Sequence, residues 1–210
     1  MSLGIVQSTI FVPFRPLVFR QMYGQQDRPS LDLSAHRCGV LQYRRLGTWS
    51  AHPRAWLPVD MLKVDGIADL ASRVGQHLGT SAWYAVTQDR ITAFGASTDD
   101  FERIHLDPER GRAAGFGGTI AHGLYTLSLG PKFLYEIFTM NGHSLGLNYG
   151  FERVRFLTPV RVDSQLRMRA TLTSAAPIDG GQRFTITETF ELAGQDKPAC
   201  VADSIVAYFH

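Results

Sequence analysis

Apolar and polar positions divide the chain into two unlike parts. Over residues 1–60 no period holds. Phe11-Val12-Pro13-Phe14-Arg15-Pro16-Leu17 is broken twice by proline, and Arg44-Arg45, Pro53 and Pro58 continue the irregularity. From Asp65 onward the pattern is regular. Ile67, Leu70, Ala71, Val74 and Leu78 recur at helical spacing, and Gly79 follows as a stop signal, so a helix is predicted there. Trp83-Tyr84-Ala85-Val86 predicts a short strand. Thr87 is placed to cap a helix beginning at Gln88, with Ile91, Phe94 and Ala96 turned inward. Asp99 to His105 predicts a polar turn, and Asp107-Pro108 the cap and first turn of a second short helix. After the loop Gly115-Phe116-Gly117-Gly118 comes a run from Thr119 to about Met140. It holds Ile120, Leu124, Leu127, Phe133, Leu134, Ile137 and Phe138 and few charges. A helix apolar on most faces belongs in an interior, and Pro131 predicts a kink or a break in it.

The remainder alternates with period two. Strands are predicted over about 144–158, 165–176, 182–193 and 199–209. The alternation is plainest in Phe184-Thr185-Ile186-Thr187-Glu188-Thr189-Phe190-Glu191-Leu192, and Asp179-Gly180-Gly181 is a hairpin signal. Short elements, one long apolar helix and several antiparallel strands give an α+β class. A sheet wrapped round a buried helix is one of several candidates within that class.

Composition narrows the function. Hydrophobic residues make up 44% and charged residues 19% of the 210, enough apolar material for a sizeable core. The net charge of +2 gives no case for nucleic acid as a partner. It is unevenly placed, +4 over residues 1–60 and −2 over the rest. Three readings of residues 1–60 stay open: a tail lying upstream of an authentic start at Met61, an Arg-rich and acid-poor targeting segment, or an extra layer on the domain. The domain itself is expected over residues 61–210. Cys38 and Cys200 stand far apart with no metal-ligand spacing, which suits a reducing cytoplasm. No apolar run approaches the roughly 18–20 residues of a membrane span. The start Met1-Ser2-Leu3 lacks the basic and apolar regions of a secretory signal. His36, His52, His77 and His143 show no ligand spacing, so no metal is expected.

The chemistry concentrates in Ser97-Thr98-Asp99-Asp100-Phe101-Glu102-Arg103-Ile104-His105-Leu106-Asp107-Pro108 and in Gly118-Thr119-Ile120-Ala121-His122-Gly123. An acid and a histidine five residues apart across a turn can hold one water molecule between them. Imidazole, with an ordinary pKa of roughly 6.5, suits proton traffic near neutral pH, and the carboxylate can share the water's proton. A glycine at the start of a buried helix offers a bare N–H at the positive end of the helix dipole, able to polarise a thioester carbonyl.

These residues resemble the hydratase motif of MaoC-like proteins, roughly Gly-Asp-x-Asn-Pro-hydrophobic-His. Asp100 and His105 stand at the matching positions, and that spacing selects Asp100 over Asp99. The family's Ala-His-Gly is matched by Ala121-His122-Gly123. Leu147-Asn148-Tyr149-Gly150, Val154-Arg155-Phe156-Leu157-Thr158-Pro159-Val160 and Lys197-Pro198-Ala199-Cys200-Val201-Ala202 are similar to its long strands. The likeness covers about residues 65–209, points to the NodN-like subgroup, and leaves 1–60 unexplained. The motif's Gly, Asn and Pro are replaced by Asp99, Glu102 and Arg103, which bears on efficiency and substrate.

The resemblance implies a hot-dog fold, a homodimer, and (R)-specific hydration of trans-2-enoyl thioesters. It casts Asp100 and His105 as the catalytic pair and the Gly123 N–H as the donor to the thioester carbonyl. His122, Ser128, Glu102 and Arg103 are further candidates for substrate contact. It implies no cofactor; coenzyme A or an acyl carrier protein delivers the acyl group. Two alternatives stand beside it. A hot-dog thioesterase needs a catalytic acid on the long helix, and Ile120 to Gly130 carries none. A non-catalytic acyl-CoA-binding protein is kept open by Glu102 and Arg103.

Overall fold

The computed structural model describes residues 61–210. The expectations for residues 1–60 lie outside the described residues. The long strands are β5 (Leu145–Phe156), β6 (Gln165–Ile178), β7 (Gly181–Leu192) and β8 (Cys200–Phe209), close to the predicted bounds. Earlier come β1 (Leu62–Val64), β2 (His77–Thr80), β3 (Tyr84–Ala85) and β4 (Phe138–Met140). One antiparallel sheet runs in the order β2-β6-β7-β8-β5, with β3 also paired to β6; β1 and β4 form a separate parallel pair. The β6–β7 hairpin closes through Asp179-Gly180, where Gly180 takes φ +71°.

Alternation decides the inner face. Leu166, Met168, Ala170 and Leu172 of β6 point inward beside Phe184, Ile186, Phe190 and Leu192 of β7. Helices α5 (Gly123–Ser128) and α6 (Gly130–Ile137) lie against this face and bury Tyr125, Leu127, Phe133, Leu134 and Ile137. They are the expected long helix, broken at Leu129, with Pro131 in the first turn of α6, where its missing N–H costs no internal bond. The burial is one-sided: Leu124 and Tyr135 are exposed. This sheet wrapped on a central helix is the hot-dog arrangement expected from the resemblance.

Two local expectations are corrected. The helix expected over 67–78 is only α1 (Gly66–Ala71). Gly75, at φ +86°, turns the chain, its N–H bonds to Leu172 O, and Leu78 is buried from strand β2 instead. The spacing of Leu78 fitted a helix, but pairing with β6 took it. In α2 (Gln88–Thr98), Ile91 is buried and Phe94 half-buried as expected. Ala96 is exposed and Gly95 is the buried neighbour, and Thr87 makes no side-chain cap bond.

Candidate active site

The segment between α2 and the central helix brings the motif residues together. Asp99 ends α2 in the left-handed region, φ +55° and ψ 23°, and the N–H of Asp100 bonds to Gly95 O. That conformation explains the glycine usual at this motif position; aspartate is among the few residues that also tolerate it. The chain then enters α3 (Arg103–Leu106), with Glu102 as its N-cap residue and Arg103 first in the helix. Asn and Pro favour those two places for reasons of capping. Glu102 makes no side-chain cap; Asp100 Oδ1 accepts the Glu102 N–H instead, at 3.3 Å. The two departures therefore fall on the capping of a one-turn helix.

The Glu102 side chain is exposed. The Arg103 guanidinium donates to Asp107 Oδ2 at 2.5 Å and engages none of Asp99, Asp100 or Glu102. This bond from Arg103, with the Arg110 amide, holds the Asp107 carboxyl below the usual carboxylate range. Asp107 also caps α4 (Pro108–Ala113), accepting the Glu109 and Arg110 N–H groups at 2.9 and 3.3 Å. This cap was expected.

His105 is buried, and its Nδ1 lies 2.8 Å from Ile120 O. A carbonyl only accepts, so the proton of the neutral ring sits on Nδ1 and the basic lone pair is on Nε2. His122 is also buried, and its Nε2 donates to Asp100 O at 3.1 Å. The two rings stack with centroids 3.8 Å apart and planes 30° apart. His122 therefore grips the main chain of Asp100 and one face of His105, and is not among the residues lining the adjacent cavity.

One carboxylate oxygen of Asp100 and one nitrogen from each histidine lie within 4.8 Å of one another. Two acceptors at such a distance are bridged by a single water with bonds of roughly 2.8 Å. The same three groups are of types that also hold metal ions, and a carbonyl bonded to the second ring nitrogen, as on both rings here, is common in ligating histidines.

Beside the pair lies a cavity of about 290 Å³ lined by His105, Gly123, Thr126, Phe156 and Thr158 among others. Asp100 is half-exposed and is not among the residues that line it. Gly123 opens α5, so its N–H has no intrahelical partner. A Cβ there would come 3.1 Å from the Phe156 ring, so a larger residue would push that half-exposed ring and reshape the cavity wall. Ser128 does not reach this cavity: its hydroxyl donates to Tyr125 O at 2.7 Å on an exposed face.

Sequence reasoning missed Thr126 and Thr158, whose hydroxyls are buried in the cavity wall without a partner among the described residues. Thr126 lies one turn beyond Gly123, a spacing that would have brought it to the same face. Thr158 comes to the cavity from the chain beyond β5 and carries no comparable signal.

The family model described as the MaoC like domain matches residues 69–192. The chain is 42% identical over 149 residues to 3-hydroxyacyl-thioester dehydratase Z of Mycobacterium tuberculosis, covering 70% of this chain and 99% of that protein. It is 39% identical over 142 residues to nodulation protein N of Rhizobium leguminosarum bv. viciae, covering 66% and 88%. The monoamine oxidase regulatory protein from Archaeoglobus fulgius shares the fold, with a TM-score of 0.61 at 18% identity over 71% of this chain and 98% of that one. With its acid and histidine poised across a tight turn at the head of a glycine-led central helix, the chain belongs to the MaoC-like family of hot-dog proteins.

Proposed function

We propose that the protein adds water to trans-2-enoyl thioesters to give (R)-3-hydroxyacyl thioesters, and catalyses the reverse dehydration. The observation that carries this reading is the pairing of Asp100 with His105, whose Nδ1 is fixed on Ile120 O so that Nε2 is the base. The name of the M. tuberculosis relative, a 3-hydroxyacyl-thioester dehydratase, supports it.

The substrate carbonyl is held on the Gly123 N–H, which draws electron density from the conjugated double bond. Asp100 and His105 orient one water and take its proton as its oxygen bonds to the β-carbon. The electron pair of the double bond moves toward the carbonyl, and the α-carbon then receives a proton from the same pair. Thr126 and Thr158 offer hydrogen bonds to the acyl oxygens from the cavity wall. Coenzyme A or an acyl carrier protein carries the acyl group, and no step calls on a redox group or a metal.

The active unit in this reading is a homodimer of residues 61–210. β5 is an outer strand of the sheet, and its Leu145, Leu147, Tyr149, Phe151 and Phe156 are exposed. An apolar edge strand of twelve residues is a template for pairing with a second copy. A reducing cytoplasm suits the buried free thiol of Cys200. No helix among the described residues is long and apolar enough to cross a membrane.

A thioesterase reading needs a carboxylate beside the thioester carbonyl. Glu188 abuts the central helix at Gly130 but lines a different cavity, and Glu136, on α6, is not in the lining of the first cavity.

Hydration of crotonyl-CoA, followed by loss of the conjugated-thioester absorbance, tests the proposal. The wild type is expected to turn over to the (R)-alcohol, and Asp100→Asn and His105→Gln to lose roughly 100-fold or more. Folded wild type that leaves short, medium and long enoyl-CoAs untouched would refute it.

A further inference from the structure

A second cavity, of about 470 Å³, lies farther along the groove between the central helix and β5. α5 and Phe156 border the first cavity; α6 and Phe151 border this one. On the central helix its lining starts at Pro131, eight residues beyond Gly123. At 1.5 Å per helical residue that is about 12 Å from the N–H assigned to the thioester carbonyl. Its walls are mainly apolar, with Leu134, Phe138, Phe151 and Val206. At its floor stand Glu188 and Ser204.

Glu188 occupies an inward place in the β7 alternation and is only 2% exposed. Ser204 Oγ lies 2.7 Å from Glu188 Oε1 and 3.2 Å from Ile186 O. A hydroxyl has one proton and cannot donate to both. If Glu188 keeps its own proton on Oε1 it donates to Ser204 Oγ, Ser204 donates to the carbonyl, and Oε2 is left as an open acceptor. Burial, which pushes the Glu188 carboxyl up to about 7, favours the same state despite the Ser204 hydrogen bond. Glu188 Oε2 has no hydrogen-bond partner among the described residues. It lies so near Gly130 that a Cβ there would stand 2.8 Å from it.

We infer that this cavity receives the far end of the acyl chain, and that Glu188 with Ser204 makes it select acyl groups bearing a hydroxyl near their terminus over plain alkyl chains. The inference rests on the thioester reading of the first cavity. An alkyl terminus would seal Glu188 Oε2 away from any donor, whereas a terminal hydroxyl donates to it while the methylenes fill the apolar walls. A pocket built to hydrogen-bond a substrate hydroxyl discriminates against the analogue lacking it.

Calorimetric binding of saturated acyl-CoAs tests this without turnover. Chains of about ten carbons, with and without a terminal hydroxyl, are titrated into the full chain. Wild type is expected to bind the hydroxylated thioester about tenfold more tightly, a moderate case of such discrimination. Glu188→Leu, checked for folding by circular dichroism, is expected to reverse the preference, and Glu188→Gln to retain most of it. Equal affinities in wild type, binding of neither thioester, or a preference that survives Glu188→Leu would each overturn the assignment. Crotonyl-CoA hydration by wild type reads the catalytic proposal separately. A chain that hydrates crotonyl-CoA but shows no hydroxyl preference loses this inference alone.

Discussion

Replacing Glu188 by glutamine should make the protein more stable at pH 8 and leave it little changed at pH 5. Glu188 is buried beneath α6, and desolvation lifts its carboxyl from the ordinary 4.5 to about 7. An acid whose folded value is raised keeps its proton longer in the folded than in the unfolded chain. Its contribution is therefore full below pH 4.5, falls as pH rises toward 7, and stays lost above that. At about 1.4 kcal/mol per pH unit, the whole interval corresponds to about 3.5 kcal/mol. Glutamine keeps the shape and carries no charge at either pH, so the variant lacks this term. Urea unfolding of both proteins, at one fixed protein concentration because of the proposed dimer, gives the difference at each pH. The variant should gain on the wild type by about 2.5 kcal/mol between pH 5 and pH 8, the rest of the interval being spent below pH 5. A gap that is the same at both pH values would refute the reasoning, since it would mean that Glu188 ionises in the fold as easily as in water.

Gly123→Ala should separate stability from activity. The new methyl meets the Phe156 ring at 3.1 Å, while the gain in helix propensity, about 1 kcal/mol, offsets the crowding. The melting temperature should therefore change little while kcat/KM for crotonyl-CoA falls about tenfold, as a misplaced wall of the site predicts. Gly130→Ala places a methyl 2.8 Å from Glu188 Oε2 and should cost about 1–3 kcal/mol in urea unfolding. A smaller cost in a Glu188→Ala background, read by a double-mutant cycle, would trace it to that contact. Tyr149→Lys puts a charge on the exposed edge strand β5 and should shift the protein from dimer to monomer in sedimentation velocity.

β6, β7 and β8 were legible because each has one buried face that period-two alternation marks; β5 has no buried face and was read from the apolar residues spaced along it. The central helix was legible as an apolar run, and Pro131 announced its break. The 67–78 segment failed because five apolar residues fit a helical wheel whether or not the last belongs to the same element. Only the Gly75 turn and the pairing of β2 with β6 decide that. At the site, the spacing of Asp100 and His105 could be read from the chain. His122 could be read as a packing or hydrogen-bonding residue at the helix start, but its partner could not, because that is a carbonyl 22 residues away. Glu188 stood in plain view at an inward place of the β7 alternation. Its meaning depends on Ser204 from the neighbouring strand and on Gly130 from the helix above, and no local pattern joins the three.

Main-chain carbonyls hold both histidines of the site, Ile120 for His105 and Asp100 for His122. A carbonyl is the same atom whichever side chain follows it. Mutation at positions 101–104 and at 120 can therefore proceed without loosening either ring, so long as the backbone path is kept. This gives the motif wide latitude to drift around a few fixed points, and Glu102 and Arg103 are two such drifts. A search for distant relatives would do better to weight the five-residue interval and the His-Gly pair than the residues between them.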